Sequence, residues 1–174
     1  NNAVKAAEYI KDAAKTGKKF FMSFGMFSTH RKYPVITENN TDPDYVELPP
    51  RTYDNENNRA DAARYMDSAK MADDCIETVI EALKEAGLYE ETIIIFTTDH
   101  GVANPFNKCF LNDSGIGVAL IIRDPKQEKQ GRVIDAMVSH IDIFPTLCEL
   151  TGVAKPEWLQ GKSLVPLLYE NKNQ

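Results

Sequence analysis

The chain has 174 residues, 43% hydrophobic and 26% charged, which suits a globular domain with a substantial core and excludes collagen-like, coiled-coil and low-complexity classes. Lys plus Arg is 20 against 26 for Asp plus Glu, so the net charge is −6. That balance argues against a general nucleic-acid or anionic-membrane surface, and no apolar run approaches the ~20 residues of a transmembrane helix.

Val4, Ala7, Ile10 and Ala14 recur at helical spacing and predict an amphipathic helix over 2–15, stopped by Gly17. Lys19–Gly25 (KFFMSFG) is short, apolar and aromatic, which predicts a buried strand. It leads into Met26–Pro34, a loop carrying Thr29, His30 and Arg31. Residues 34–54 are rich in Pro, Asn and Asp and predict a long surface loop of the functional or mobile kind. A long helix over 55–86 follows, with Asp54 as N-cap, Gly87 as C′ stop and Ala62, Met66, Ala69, Cys75 or Ile76, Val79 or Ile80, and Leu83 on its apolar face.

Thr92–Thr98 is apolar on both faces, as in a central parallel strand covered by helices on two sides. Gly117–Arg123 and Val133–Ser139 predict further strands. Asp142 caps a helix through Leu150, Gly152 ends it, and Ser163 opens a short last helix. The pattern predicts a single α/β unit over 1–174: a mixed, mostly parallel sheet with helices on both faces.

Four segments bear chemistry. Thr97-Thr98-Asp99-His100-Gly101 ends a predicted strand in an acid, an imidazole and a glycine, and ligands bind outside the carboxyl ends of such strands. Asp offers a hard oxygen and His a neutral nitrogen to a divalent cation; a capping Asp with a polar loop His is the alternative. Ser28-Thr29-His30-Arg31-Lys32 also follows a predicted strand, and His30 is placed either to contact an anion or pass a proton, or simply to sit in a solvated basic loop. Lys108, in Asn107-Lys108-Cys109, is either a point charge for an anionic oxygen or solvent-exposed. His140, beside Asp142, reads as a packed loop residue.

Other motifs fail. Gly161-Lys162-Ser163 resembles the tail of a P-loop, but Pro156 stands where that pattern needs its first glycine. Neither GxSxG nor HExxH occurs. Cys75, Cys109 and Cys148 are widely spaced and read as small buried thiols.

Taken in order, FFMSFGMFSTHRKYP, DDCIETVIEALKEAGLYEETIIIFTTDHG, NKCFLNDSGIGVALIIRDP, VIDAMVSHIDIFPTLCELTGV and LQGKSLVPLL resemble the later part of the sulfatase family, within the alkaline-phosphatase superfamily. The resemblance covers nearly the whole chain except 34–54, and is nearest to sulfatases acting on sulfated sugars, including heparan N-sulfatase relatives. It implies an alkaline-phosphatase-like fold, here incomplete. It implies that Asp99 and His100 are metal ligands, usually to calcium, that His30 contacts the sulfate and assists the leaving group, and that Lys108 binds sulfate oxygens. Arg31, beside His30, is implied as a substrate contact.

The family's nucleophile is a formylglycine made in a CxPSR-like or CxAxR-like motif, and no cysteine or serine here lies in one. The family's adjacent Asp-Asp metal pair is not Asp73-Asp74, which falls inside the long predicted helix. The expectation is therefore the C-terminal half of a sulfatase catalytic domain, with no turnover of its own. Its implied partners are a sulfated carbohydrate or other small sulfate ester, and either the remaining half of the domain or a second copy to cover the sheet. Family resemblance implies a periplasmic, secreted or lysosomal setting. The alternatives are a phosphate or phosphonate ester hydrolase of the same superfamily and a non-catalytic binding or structural module.

Overall fold

The computed structural model of the chain describes residues 2–38, 40–127 and 131–169. They fall into two compact units, divided between Ile122 and Arg123.

The first unit is built on two helices. Helix α1, Asn2–Thr16, buries Ala3, Ala6 and Ile10 on one stripe and ends at Gly17, whose φ of +64° is the left-handed conformation expected of a helix stop. Helix α2, Glu56–Glu85, packs against it, with Ile10, Ala82 and Leu83 at the centre and Phe20, Met22, Val79 and Ile94 around them. The N-cap of α2 is Asn55, whose side chain accepts from Asn58 N, and not Asp54. Asp54 instead takes the Arg59 guanidinium through both oxygens, at 2.5 and 2.6 Å, which holds its carboxyl below the usual carboxylate range.

The apolar face of α2 also differs toward its N-terminus. Ala63, Asp67 and Ser68 are buried there, while Met66 is 43% exposed. Asp67 is buried because Thr41 donates to its Oδ1 from both backbone N (2.8 Å) and hydroxyl (2.6 Å). Those bonds fasten the 34–54 segment to the helix. Its 3₁₀ turn Pro43–Tyr45 lies on α2 as well, and Arg59 donates to Asp44 O at 3.1 Å. The segment is therefore a strapped loop; Asn39, within it, lies outside the described residues.

Strand β1, Ile94–Thr97, pairs with β2, Leu120–Arg123, in a two-stranded antiparallel sheet. Thr98 N donates to Ala119 O just beyond the ladder, as an antiparallel register requires. The intervening chain holds one short helix, α3, Asp113–Ile116, and brings the start of β2 back beside the end of β1. Lys19–Gly25 and Val133–Ser139 are not strands: no ladder partner lies beside them among the described residues, and Phe21 is 76% exposed.

The second unit holds helix α4, Ile143–Thr151, and helix α5, Val165–Tyr169. Gly152 ends α4 at φ +73°. Asp142 works through its side chain on both flanks, accepting from Ser139 N and from Lys162 N, each at 2.8 Å. Thr146, fully buried, accepts from Leu164 N at 2.8 Å and donates to Asp142 O at 2.6 Å. A side chain at Gly161 would meet Ile141 O at 2.0 Å, so the Gly-Lys-Ser stretch serves a close backbone approach. His140 is exposed in the turn before α4. Of the cysteines only Cys148 is buried; Cys109 is exposed. No helix among the described residues is long and apolar enough to cross a membrane.

Candidate functional site

The site candidates in the first unit cluster around one turn, residues 99–108, which follows β1. Gly101 N donates to Gly115 O at 2.9 Å, and a Cβ at Gly101 would stand 1.8 Å from Ser114 O. The turn is thus pressed on α3 as closely as glycine allows.

At the start of this turn the Asp99 side chain is 85% exposed and that of His100 36%. Asp99 Oδ1 accepts from His100 N at 3.0 Å, and Asp99 Oδ2 lies 3.2 Å from His100 Nε2. The other ring nitrogen, Nδ1, is 2.7 Å from Gly101 O. A carbonyl only accepts, so Nδ1 carries the hydrogen. In the neutral ring Nε2 then presents a lone pair toward a carboxylate oxygen. Two electron-rich atoms at that separation suit a shared cation, and a ligating histidine typically fixes its tautomer by such a carbonyl bond. The pair therefore fits a divalent ion as two of its donors. A calcium ion takes about 6–8 oxygens, and among the described residues no three His, Cys, Asp or Glu side chains group around one point.

His30 closes a tight turn, its N donating to Phe27 O at 2.8 Å, with its ring tilted on Phe27 at 5.1 Å. Its Nδ1 contacts Arg31 O, so Nε2 is the end left toward solvent. Arg31 reaches away from its own loop. It donates from Nε to Ala103 O (2.7 Å), from Nη1 and Nη2 to the two Asp61 oxygens (3.0 and 2.5 Å) and from Nη2 to Asn104 Oδ1 (3.3 Å). Its guanidinium also lies over the Tyr33 ring at 5.3 Å. These bonds tie the His30 loop to the turn that begins at Asp99.

The same turn leads to Lys108, whose N donates to Val102 O at 3.3 Å. Phe106 and Cys109 flank it with φ of +64° and +72°, uncommon for residues with a side chain and a mark of a backbone held by its surroundings. Arg31, Asp61, Tyr65, Asn104, Lys108 and Glu47 are among the residues lining a cavity of about 740 Å³, within the range of small-molecule sites. The structure thus brings Arg31 and Lys108 to one cavity. His30, Asp99 and His100 are joined to it through the 99–104 turn and the Arg31 bonds, but do not line it.

Asp61, Asn104, Tyr65 and Glu47 escape sequence reasoning. Asp61 lies in a helix among alanines with no motif around it, and Glu47 lies in the segment whose course the sequence does not predict.

A sulfatase family model matches residues 2–153. The chain belongs to the sulfatase family. It is 30% identical over 120 residues to human N-sulphoglucosamine sulphohydrolase, covering 63% of this chain and 24% of that one. Among solved structures it is similar to a Bacteroides thetaiotaomicron protein from work on the metabolism of multiple glycosaminoglycans (TM-score 0.80, 25% identity, 98% of this chain and 39% of that one). It is also similar to the phosphonate monoester hydrolase of Agrobacterium radiobacter (TM-score 0.59, 33% identity, 66% and 24%). The chain spans between about a sixth and just over a third of the length of the curated relatives it matches.

Proposed function

We propose that this chain carries part of the active site of a sulfuric ester hydrolase that cleaves a sulfate ester or sulfamate on a sugar. The observation that carries the reading is the Asp99–His100 pair, with the histidine tautomer fixed by Gly101 O and the two donor atoms 3.2 Å apart. Asp99 and His100 would hold a divalent ion, calcium on the family's pattern, which when bound supplies positive charge for the sulfuryl oxygens. Lys108 adds an ammonium for those oxygens. Nε2 of His30 is the end turned from Arg31 O; with Nδ1–H held on that carbonyl, it gives a proton to the departing oxygen or nitrogen from the imidazolium form and is left as the neutral ring. The formylglycine nucleophile is not among these residues, so these side chains bind, orient and protonate. On this reading 1–174 belongs to one α/β catalytic domain with a larger, mostly parallel sheet, working in a periplasmic, secreted or lysosomal compartment.

The similarity to a phosphonate monoester hydrolase favours one competing reading, in which the tetrahedral anion is a phosphonate or phosphate. Kinetics of the full-length protein on sulfated glucosamines and on a phosphonate monoester separate the two. Sulfate release should dominate, and Lys108→Met should lower kcat/KM about 10²–10³-fold, as loss of one transition-state donor does elsewhere. Phosphonate hydrolysis as the dominant activity, or full sulfatase activity in Lys108→Met, would contradict the proposal.

A further inference from the structure

Arg31 is a cation at a cavity wall, yet its geometry is that of a strut. A guanidinium has five N–H donors. The bonds to Ala103 O, to both Asp61 oxygens and to Asn104 Oδ1 occupy four of them, and Tyr33 covers a face of the group. Tyr33 is itself set edge-on to Tyr65, a lining residue, at 5.8 Å. A guanidinium committed in this way has little left to give a ligand. Its charge is matched within the wall by the Asp61 carboxylate, through the paired geometry that carboxylates and guanidinia form best. Lys108 is different: among the described residues its ammonium forms no ion pair, and it lines the same cavity.

We propose that Asp61 is a positioning residue of the site: it holds Arg31 between the 28–34 loop and the 103–104 turn, and so reserves Lys108 as the cation that meets the substrate's anionic group. The identity of that anion rests on the sulfatase reading; the division of labour between the two cations does not. It follows that removing the Asp61 charge should do two opposite things. Arg31, released, becomes a second anion receptor, so a free anion binds more tightly. The His30 loop loses its fixed place beside the turn, so turnover falls.

Calorimetric titration of the full-length protein with sodium sulfate, with steady-state kinetics on a sulfated sugar alongside, tests this. Lys108→Met should weaken sulfate binding about tenfold or more, the loss of one charge-assisted contact. Arg31→Met should leave sulfate affinity unchanged and lower kcat. Asp61→Asn should tighten sulfate binding about tenfold while lowering kcat. Asp61→Glu should restore both toward wild type, and Asp61→Asn with Arg31→Met should return sulfate affinity to the wild-type value. Equal loss of sulfate binding in Arg31→Met and Lys108→Met would overturn the proposal and leave the sulfatase reading standing, because Arg31 would then be a direct receptor. Loss of sulfate affinity, kcat and melting temperature together in Asp61→Asn, without rescue by Glu, would reduce Asp61 to a structural residue. Undiminished sulfate binding in Lys108→Met would remove the sulfatase reading itself, and this inference with it.

Discussion

Asp67 shows how a buried charge is kept on this chain. Burial alone pushes its carboxyl pKa up, but the Thr41 hydroxyl and amide and the Lys70 ammonium together outweigh that and hold it below its ordinary 3.8. A carboxyl depressed in the folded state contributes stability that is present above pH 3.8 and is lost as pH falls through the folded value. Stability measured by denaturant titration should therefore drop in that acid range, and Asp67→Asn should flatten the drop; an unchanged acid limb in the variant would contradict this. Tyr169 in the second unit gives the opposite limb. Burial first, then its hydrogen bond to Asp124, pushes the phenol up to about 12. A phenol raised in the folded state contributes stability below its ordinary 10.0 that is lost as pH rises toward 12. Tyr169→Phe should weaken the alkaline dependence of unfolding.

At the scale of elements, two positions carry the first unit. Ile10 is fully buried between α1 and α2, so Ile10→Ala should cost about 2–5 kcal/mol in equilibrium unfolding. Gly101→Ala forces a Cβ into Ser114 O, and the turn or α3 must shift; a cost of about 1–3 kcal/mol and weaker metal and anion binding are expected. These elements differ in how legible they are. The helices α1, α2 and α4 can be read almost to their ends, because Gly17, Gly87 and Gly152 all adopt the left-handed conformation that stops a helix. The N-terminal face of α2 cannot be read, because burial of Asp67 depends on Thr41, a residue 26 positions away. The strands predicted at 19–25 and 133–139 fail for a related reason. A short apolar run marks the capacity to pair, and pairing needs a neighbour that the pattern does not name.

For the molecule as a whole, large apolar side chains stand in the open: Phe21 and Phe27 in the first unit, Val133 and Met137 in the second. Exposed apolar surface of this kind marks an interaction face, so the 174-residue chain prepared alone should self-associate in light scattering; a clean monomer would count against it. The candidate site is legible in part, as a set of residues the fold brings near one turn. Asp99, His100 and Lys108 stand close in sequence along one turn, and His30 and Arg31 in one loop, so a linear pattern captures them. Asp61 reaches that turn only through the folded helix, and no linear pattern contains it. An experimental structure of the full-length protein, grown with calcium and a slowly cleaved sulfated sugar, tests the account most directly. The account predicts calcium at about 2.3–2.6 Å from the Asp99 carboxylate, with His100 Nε2 beside it and the sulfate on Lys108 Nζ. Calcium and sulfate bound elsewhere, with Asp99, His100 and Lys108 left to solvent, would contradict it.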